Sequence, residues 1–238
     1  MSFNLGQEIK KNARVRNLFV AALAFGCAFG TVTYASAQGV NPPVTPDLIT
    51  PPDGNAAFLL GRATGTQGYV CLPTSAGAST ASWTVNAARP EATLFTKFLG
   101  RDVEIVTHFL SPDTNPNQSA PNPVAFGNAT WQSSLDSSKV WAQSLFSEGG
   151  LPPVQHAISA GSDPSCPNSG AISCLLLQSI GTDKGPAGGN FLTQTTFIQR
   201  LNTRGGSAPA TGCTSSNDVG KQALVPYSAD YYFFHATE

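Results

Sequence analysis

Val103-Glu104-Ile105-Val106-Thr107-His108-Phe109 is the stretch on which the fold turns. Side chains alternate along a strand, so Val103, Ile105, Thr107 and Phe109 are expected on one face. Glu104, Val106 and His108 are expected on the other, which faces either solvent or a ligand cleft. Outward from this segment, short apolar runs alternate with Gly, Pro, Asn and Ser. The candidate strands are Ala56–Arg62, Gly68–Leu72, Ser82–Ala87, Ala92–Phe98, Val103–Leu110, Val124–Gln132, Lys139–Leu145, Ile172–Ile180, Leu192–Asn202 and Asp230–Ala236. Few stretches keep a helical period for three turns, so little helix is expected. About ten short strands at this spacing predict an all-β domain, a single β-sandwich or jelly roll, with a small barrel as the third architecture of the class. Ser111–Pro123 and the Gly-rich Gly181–Asn190 read as surface loops.

The N-terminus reads differently. Lys10, Lys11, Arg14 and Arg16 precede an apolar run from Leu18 to about Phe29, and Ala35-Ser36-Ala37 follows. A basic region, a short apolar region and an A-x-A site describe a secretory signal. Cleavage is expected after Ala37, leaving Gln38 first, with no transmembrane helix remaining. Two alternatives are an uncleaved anchor and lipidation at Cys27, which follows Ala24-Phe25-Gly26. The division is therefore 1–37 signal, 38–52 proline-rich arm, and 53–238 a single β-rich domain. The expected location is secreted or periplasmic.

Four of the 13 basic residues and one of the 14 acidic residues lie in the signal segment, so the remainder is net acidic. No basic stripe is left to neutralise phosphates, which argues against nucleic acid as a partner. Four cysteines remain, Cys71, Cys166, Cys174 and Cys213, an even number in an exported chain. Of three connectivities, Cys166–Cys174 with Cys71–Cys213 is favoured. The first closes a short Pro-Asn-Ser-Gly loop and the second ties early chain to late chain. No C-x-x-C pair exists, so a metal site is not expected.

Signatures of catalysis are sparse. G-x-S-x-G, H-E-x-x-H and a phosphate-binding P-loop are missing from the sequence, and Gly61, Gly65 and Gly68 have the wrong spacing for a dinucleotide fingerprint. No cofactor is expected. His108, His156 and His235 read first as structural or surface residues. Glu91, Asp102, Glu104, Asp136 and Asp230 are the acids that a glycosidase-like pair would draw on. Trp83, Trp131 and Trp141 read first as core; exposed on a sheet, they would stack sugars. Asn117-Gln118-Ser119 and Asn128-Ala129-Thr130 match the N-glycosylation pattern.

Several segments together carry a resemblance. They are Gly61-Arg62 with Gly65-Thr66-Gln67-Gly68-Tyr69-Val70-Cys71, then Ala92-Thr93-Leu94-Phe95, His108-Phe109, and Trp131 with Asp136-Ser137-Ser138-Lys139-Val140. Cys174-Leu175-Leu176-Leu177, Ile198 through Gly206 and Pro226 through Tyr231 complete the order. In this order the chain resembles the secreted bacterial and fungal family catalogued as domain of unknown function 3455, from about Pro46 to the end. It departs from the family pattern at Thr96, Ser137 and Cys174, where Asp, Gly and Trp are usual. The resemblance implies export and one β-rich domain, and no established activity.

Arg62, Gln67, Arg200 and Asn202 are polar residues in or beside strands within these segments. Buried polar groups need partners, so they form either one structural network or a pocket lining. With His108 and Trp131 they are the ligand-binding candidates. The leading expectation is a non-enzymatic extracytoplasmic domain that binds a glycan, a small molecule or an envelope component. The alternative is an extracytoplasmic hydrolase using His108 with a carboxylate partner.

Overall fold

The computed structural model describes residues 39–111, 128–144 and 156–237. By compactness the chain divides into two units, residues 1–37 and 38–238, and only the second falls within the described residues. The signal segment, Cys27, the Ala37–Gln38 junction, residues 112–127 and Leu145 lie outside them.

Nine strands make one antiparallel sheet: β1 (Asn55–Pro73), β2 (Ala81–Phe98), β3 (Arg101–Ser111), β4 (Asn128–Ser133), β5 (Lys139–Ser144), β6 (Ala157–Ile158), β7 (Cys174–Asp183), β8 (Thr195–Gly205) and β9 (Gln222–Ala236). The order is β5-β4-β3-β2-β1-β9-β8-β7-β6, and β5 pairs in addition with β7. That pairing closes eight strands into a ring, with β6 sharing the edge of β7 beside β5. Of the three all-β architectures the sequence allows, the pairings make the barrel. An eight-stranded barrel is just wide enough for side chains to fill, or for one small ligand.

The expected strands at 56–62 and 68–72 are one strand, β1, and those at 82–87 and 92–98 are one strand, β2. Gly65 and Pro90 lie between the expected strands in sequence, but the ladder runs through them, with a register shift at Gly68, between Gln67 and Tyr69. Such shifts let a long strand bend round a barrel.

Two packed clusters lie on the two faces of the sheet. Inside the ring are Ala63, Leu94, Val106, Trp131, Val140, Ile198, Tyr227, Tyr231 and Phe233. Outside, Ile49, Leu176, Phe197, Leu201, Tyr232, Phe234 and the Cys166–Cys174 bridge pack together. This explains the four successive buried residues Tyr231–Phe234 of β9, since both faces of that strand are covered. The outer cover includes the arm. Asp47–Ile49 forms a short 3-10 turn, Ile49 is fully buried, and Gln199 Nε2 donates to the Ile49 carbonyl at 2.6 Å.

Both favoured disulfides are present, Cys71–Cys213 and Cys166–Cys174. The Gly-rich segment is more than a surface connection. Asp136 in the β4–β5 turn accepts the Phe191 amide at 2.8 Å, and its backbone and side chain occupy the space that a Cβ would need at Gly185 and Gly189.

Candidate functional site

The expected alternation over 103–109 is broken by one residue. Leu94 pairs with Val106 and Phe95 with Glu104, so Ile105 is an extra residue in the ladder. The bulge buries both Ile105 and Val106 and places Val103 on the opposite face from Thr107 and Phe109. The face bearing Val106 and His108 is the barrel interior and not solvent.

His108 is buried and lies parallel to Trp131, its directly paired neighbour on β4, with ring centroids 4.1 Å apart. Its Nδ1–H donates to the Thr130 carbonyl at 2.9 Å, since a carbonyl can only accept. Burial is the largest influence and pushes its pKa down. The Thr130 bond opposes this, the Arg200 guanidinium adds to it, and the value settles at about 4. At neutral pH the ring is uncharged. Among the described residues no carboxylate pairs with His108 or Arg200. General acid–base hydrolysis needs such a partner within hydrogen-bond reach, and His108 has none among the described residues, although it borders an open depression together with Glu91.

The six candidate residues do not converge. Arg200 and Gln67 belong to the inner face. Arg200 pairs with Tyr231 across β8–β9 and donates twice to the Ser173 carbonyl; burial raises the pKa of Tyr69 and Tyr227, and the Arg200 charge offsets part of that rise. Arg62 and Asn202 belong to the outer face. Arg62 is exposed and paired in register with Asp230, and Asn202 Nδ2 donates to Asp230 Oδ2 at 3.1 Å. Two features separate them. Arg62 and Gln67 differ in parity along β1, and the positive φ of Asn202 (48°) turns it out of the alternation that Arg200 follows. Trp131 is 1% exposed, so its ring is core and cannot stack an external ligand. Trp141 is equally buried, while Trp83 packs on the Cys71–Cys213 bridge and donates to the Thr211 carbonyl. His156 lends its backbone carbonyl to Leu176, and His235 makes an edge contact with Phe58.

An open depression of about 370 Å³ lies on the outer face of β1, β2 and β3. Thr64, Thr93 and Thr107 are direct cross-strand partners, and the row continues to Ser228 on one side and Gln132 on the other. Thr66 pairs with Glu91 in the next row, and the half-buried Phe109, with Ala92 and the buried His108 beneath, completes the lining. Gly65 lies in the wall, where a Cβ would collide with the Glu91 carbonyl and Ala92. Four hydroxyls, a carboxylate and one ring face are thus held on rigid strands. Thr64, Thr66, Thr93 and Thr107 were not legible as a set, because threonine is an ordinary strand residue. Only the register brings them into rows.

Residues 52–235 match the family described as Protein of unknown function (DUF3455). The chain belongs to this family. Searches of the curated proteins and of the solved structures found no significant match. Two of the segments that carry the resemblance are bonded to one another in the fold. Tyr69, in the β1 segment, donates its hydroxyl to the carbonyl of Gly206, in the turn after β8, at 2.6 Å. Gly205 and Gly206 both have positive φ, 69° and 79°, which brings that carbonyl round to meet it. In this chain these segments thus build one end of the barrel.

Proposed function

We propose that the barrel is an extracytoplasmic, non-enzymatic binding domain for a neutral glycan, held at the outer depression of β1–β3. The observation that carries this reading is the lining: Thr64, Thr66, Thr93 and Thr107 hydroxyls in cross-strand rows, the Glu91 carboxylate and the Phe109 ring. A pyranose offers hydroxyls that both donate and accept, and an apolar C–H face suited to an aromatic ring. An apolar ligand would leave the hydroxyls and the carboxylate unpartnered, at a cost in free energy. The volume suits one or two sugar rings. Export is supported by the basic–apolar–small N-terminus and by two disulfides, which persist in oxidising compartments.

The test is calorimetric titration of the oxidised protein with neutral oligosaccharides, after a thermal-shift screen. Binding to at least one glycan is expected, weakened about tenfold by Phe109→Ala and by Glu91→Gln. Binding that both variants leave unchanged would place the site elsewhere. No binding across the panel would sink the glycan reading.

A further inference from the structure

The tip of the β2–β3 hairpin is free of the ladders on either side of it. β1 pairs with β2 as far as Arg62–Phe95, and β4 pairs with β3 as far as Ser133–Val106, followed by one bond from the Ser134 amide to the Ile105 carbonyl. The pairs Thr96–Val103, Lys97–Asp102 and Phe98–Arg101 continue beyond this with no strand hydrogen-bonded to either edge among the described residues. They make a two-stranded finger about 10 Å long. Leu99-Gly100 closes it, with φ of 48° and 77°. A two-residue turn with both φ positive favours Asn-Gly or Asp-Gly. Leucine there is unfavourable twice, in backbone conformation and in exposure, for Leu99 is 88% exposed and Phe98 63%. Lys97 is paired with Asp102 at 2.8 Å, whereas Arg101, opposite Phe98, has no carboxylate partner among the described residues. Since neighbouring strands alternate in direction, the β4–β5 turn lies at the same end of the barrel, and its Leu135 is 63% exposed.

We propose that this finger is a membrane-interface anchor. Phe98 and Leu99 enter the acyl boundary of a bilayer leaflet, and Arg101 meets the phosphate of an anionic lipid. A convex tip carrying two adjacent large apolar side chains and an unpaired guanidinium matches the layered chemistry of a bilayer surface, apolar below and anionic above. A single small tip gives reversible attachment. The proposal rests on the extracytoplasmic reading for access to a leaflet and is independent of the glycan site.

The experiment is co-sedimentation of the exported protein, its N-terminus verified by mass so that no apolar leader contributes. The vesicles are phosphatidylcholine alone and a phosphatidylcholine–phosphatidylglycerol mixture. The wild type is expected to sediment with the mixed vesicles. Combining Phe98→Ser with Leu99→Asn lowers the partition coefficient about tenfold or more. Arg101→Gln lowers it about fivefold on mixed vesicles only. Leu99→Asn alone keeps or raises the melting midpoint, since Asn tolerates the left-handed turn, so loss of sedimentation is not loss of fold. A wild type that sediments with neither vesicle, or variants that sediment as it does, overturns the proposal. Unchanged glycan binding by the finger variants shows that the two sites are separate.

Discussion

His108 and Trp131 lie face to face inside the barrel, 4.1 Å between ring centroids and 7° between planes. Each comes from the interior side of its own strand, and the two are direct partners in the β3–β4 ladder. The stack removes the imidazole from water, and the Thr130 carbonyl fixes its proton on Nδ1.

That burial sets a pH dependence. The folded pKa of His108 is about 4, below the ordinary 6.5 of the unfolded chain. Between these values the unfolded state takes up a proton that the folded state does not. Stability therefore falls as pH drops from about 6.5 to about 4, by up to roughly 3 kcal/mol, then levels off. Urea unfolding of the wild type at pH 7 and pH 5 should show this loss. His108→Phe, which preserves the stack, should abolish most of it. An equal slope in the variant would show that another group is responsible.

Asp136 acts in a lower window. Partial burial opposes its ionisation, but hydrogen bonds from the Phe191 amide and from Ser138 outweigh it and hold the pKa at about 2. Its contribution, about 1–2 kcal/mol after allowance for solvent screening, is present above pH 4 and lost as pH falls toward 2. Asp136→Ala should destabilise the protein at pH 7 by at least this amount and flatten the acid limb between pH 4 and pH 2. Denaturant midpoints across that range decide it, and an acid limb as steep as the wild type's would refute the assignment.

The two disulfides should differ in effect. Cys71 and Cys213 are 142 residues apart in sequence, and Cys166 and Cys174 are 8 apart. In the chain-entropy account the long loop contributes about 5 kcal/mol and the short one about 2–3. Paired Cys→Ser variants, compared by chemical denaturation, should rank in that order. The reverse ranking would mean that loss of packing in the outer cluster, where the short bridge is buried, exceeds the entropy term.

Ile49 ties the arm to the barrel. It is fully buried against the β7–β9 outer face, and Gln199 holds its carbonyl. Ile49→Ala should cost about 2–4 kcal/mol. Deleting residues 38–50 should cost more and expose Phe197 and Phe234. Dye binding to exposed apolar surface, with thermal melts, would show both. A deletion that melts like the full domain would make the arm dispensable.

Much of the candidate site was hidden for one reason: its members are common strand residues. Thr64, Thr93 and Thr107 are distant in sequence and become a row only through the β1–β2–β3 register. Arg62 and Arg200, five and two residues from other polar candidates, went to opposite faces because parity and one positive φ at Asn202 decided their directions. The sequence showed only a strand ending at Phe98 and another starting at Val103; the free tip between them depends on where the flanking ladders stop.

The amino-acid sequence by itself determined the class of the protein. Period-two patterning, frequent Gly and Pro, and four cysteines at these positions led to an all-β, twice-bridged domain and to its family, since strand propensity, alternation and pairing of cysteines are local or compositional properties. Only the tertiary structure decided that the sheet closes, because β5 and β7 are brought together by a non-sequential pairing with no local signature. Closure in turn gave the sheet an inside. A histidine and a tryptophan that alternation alone leaves free to face water were buried against each other, and the outer face was left to carry the hydroxyl rows and the finger.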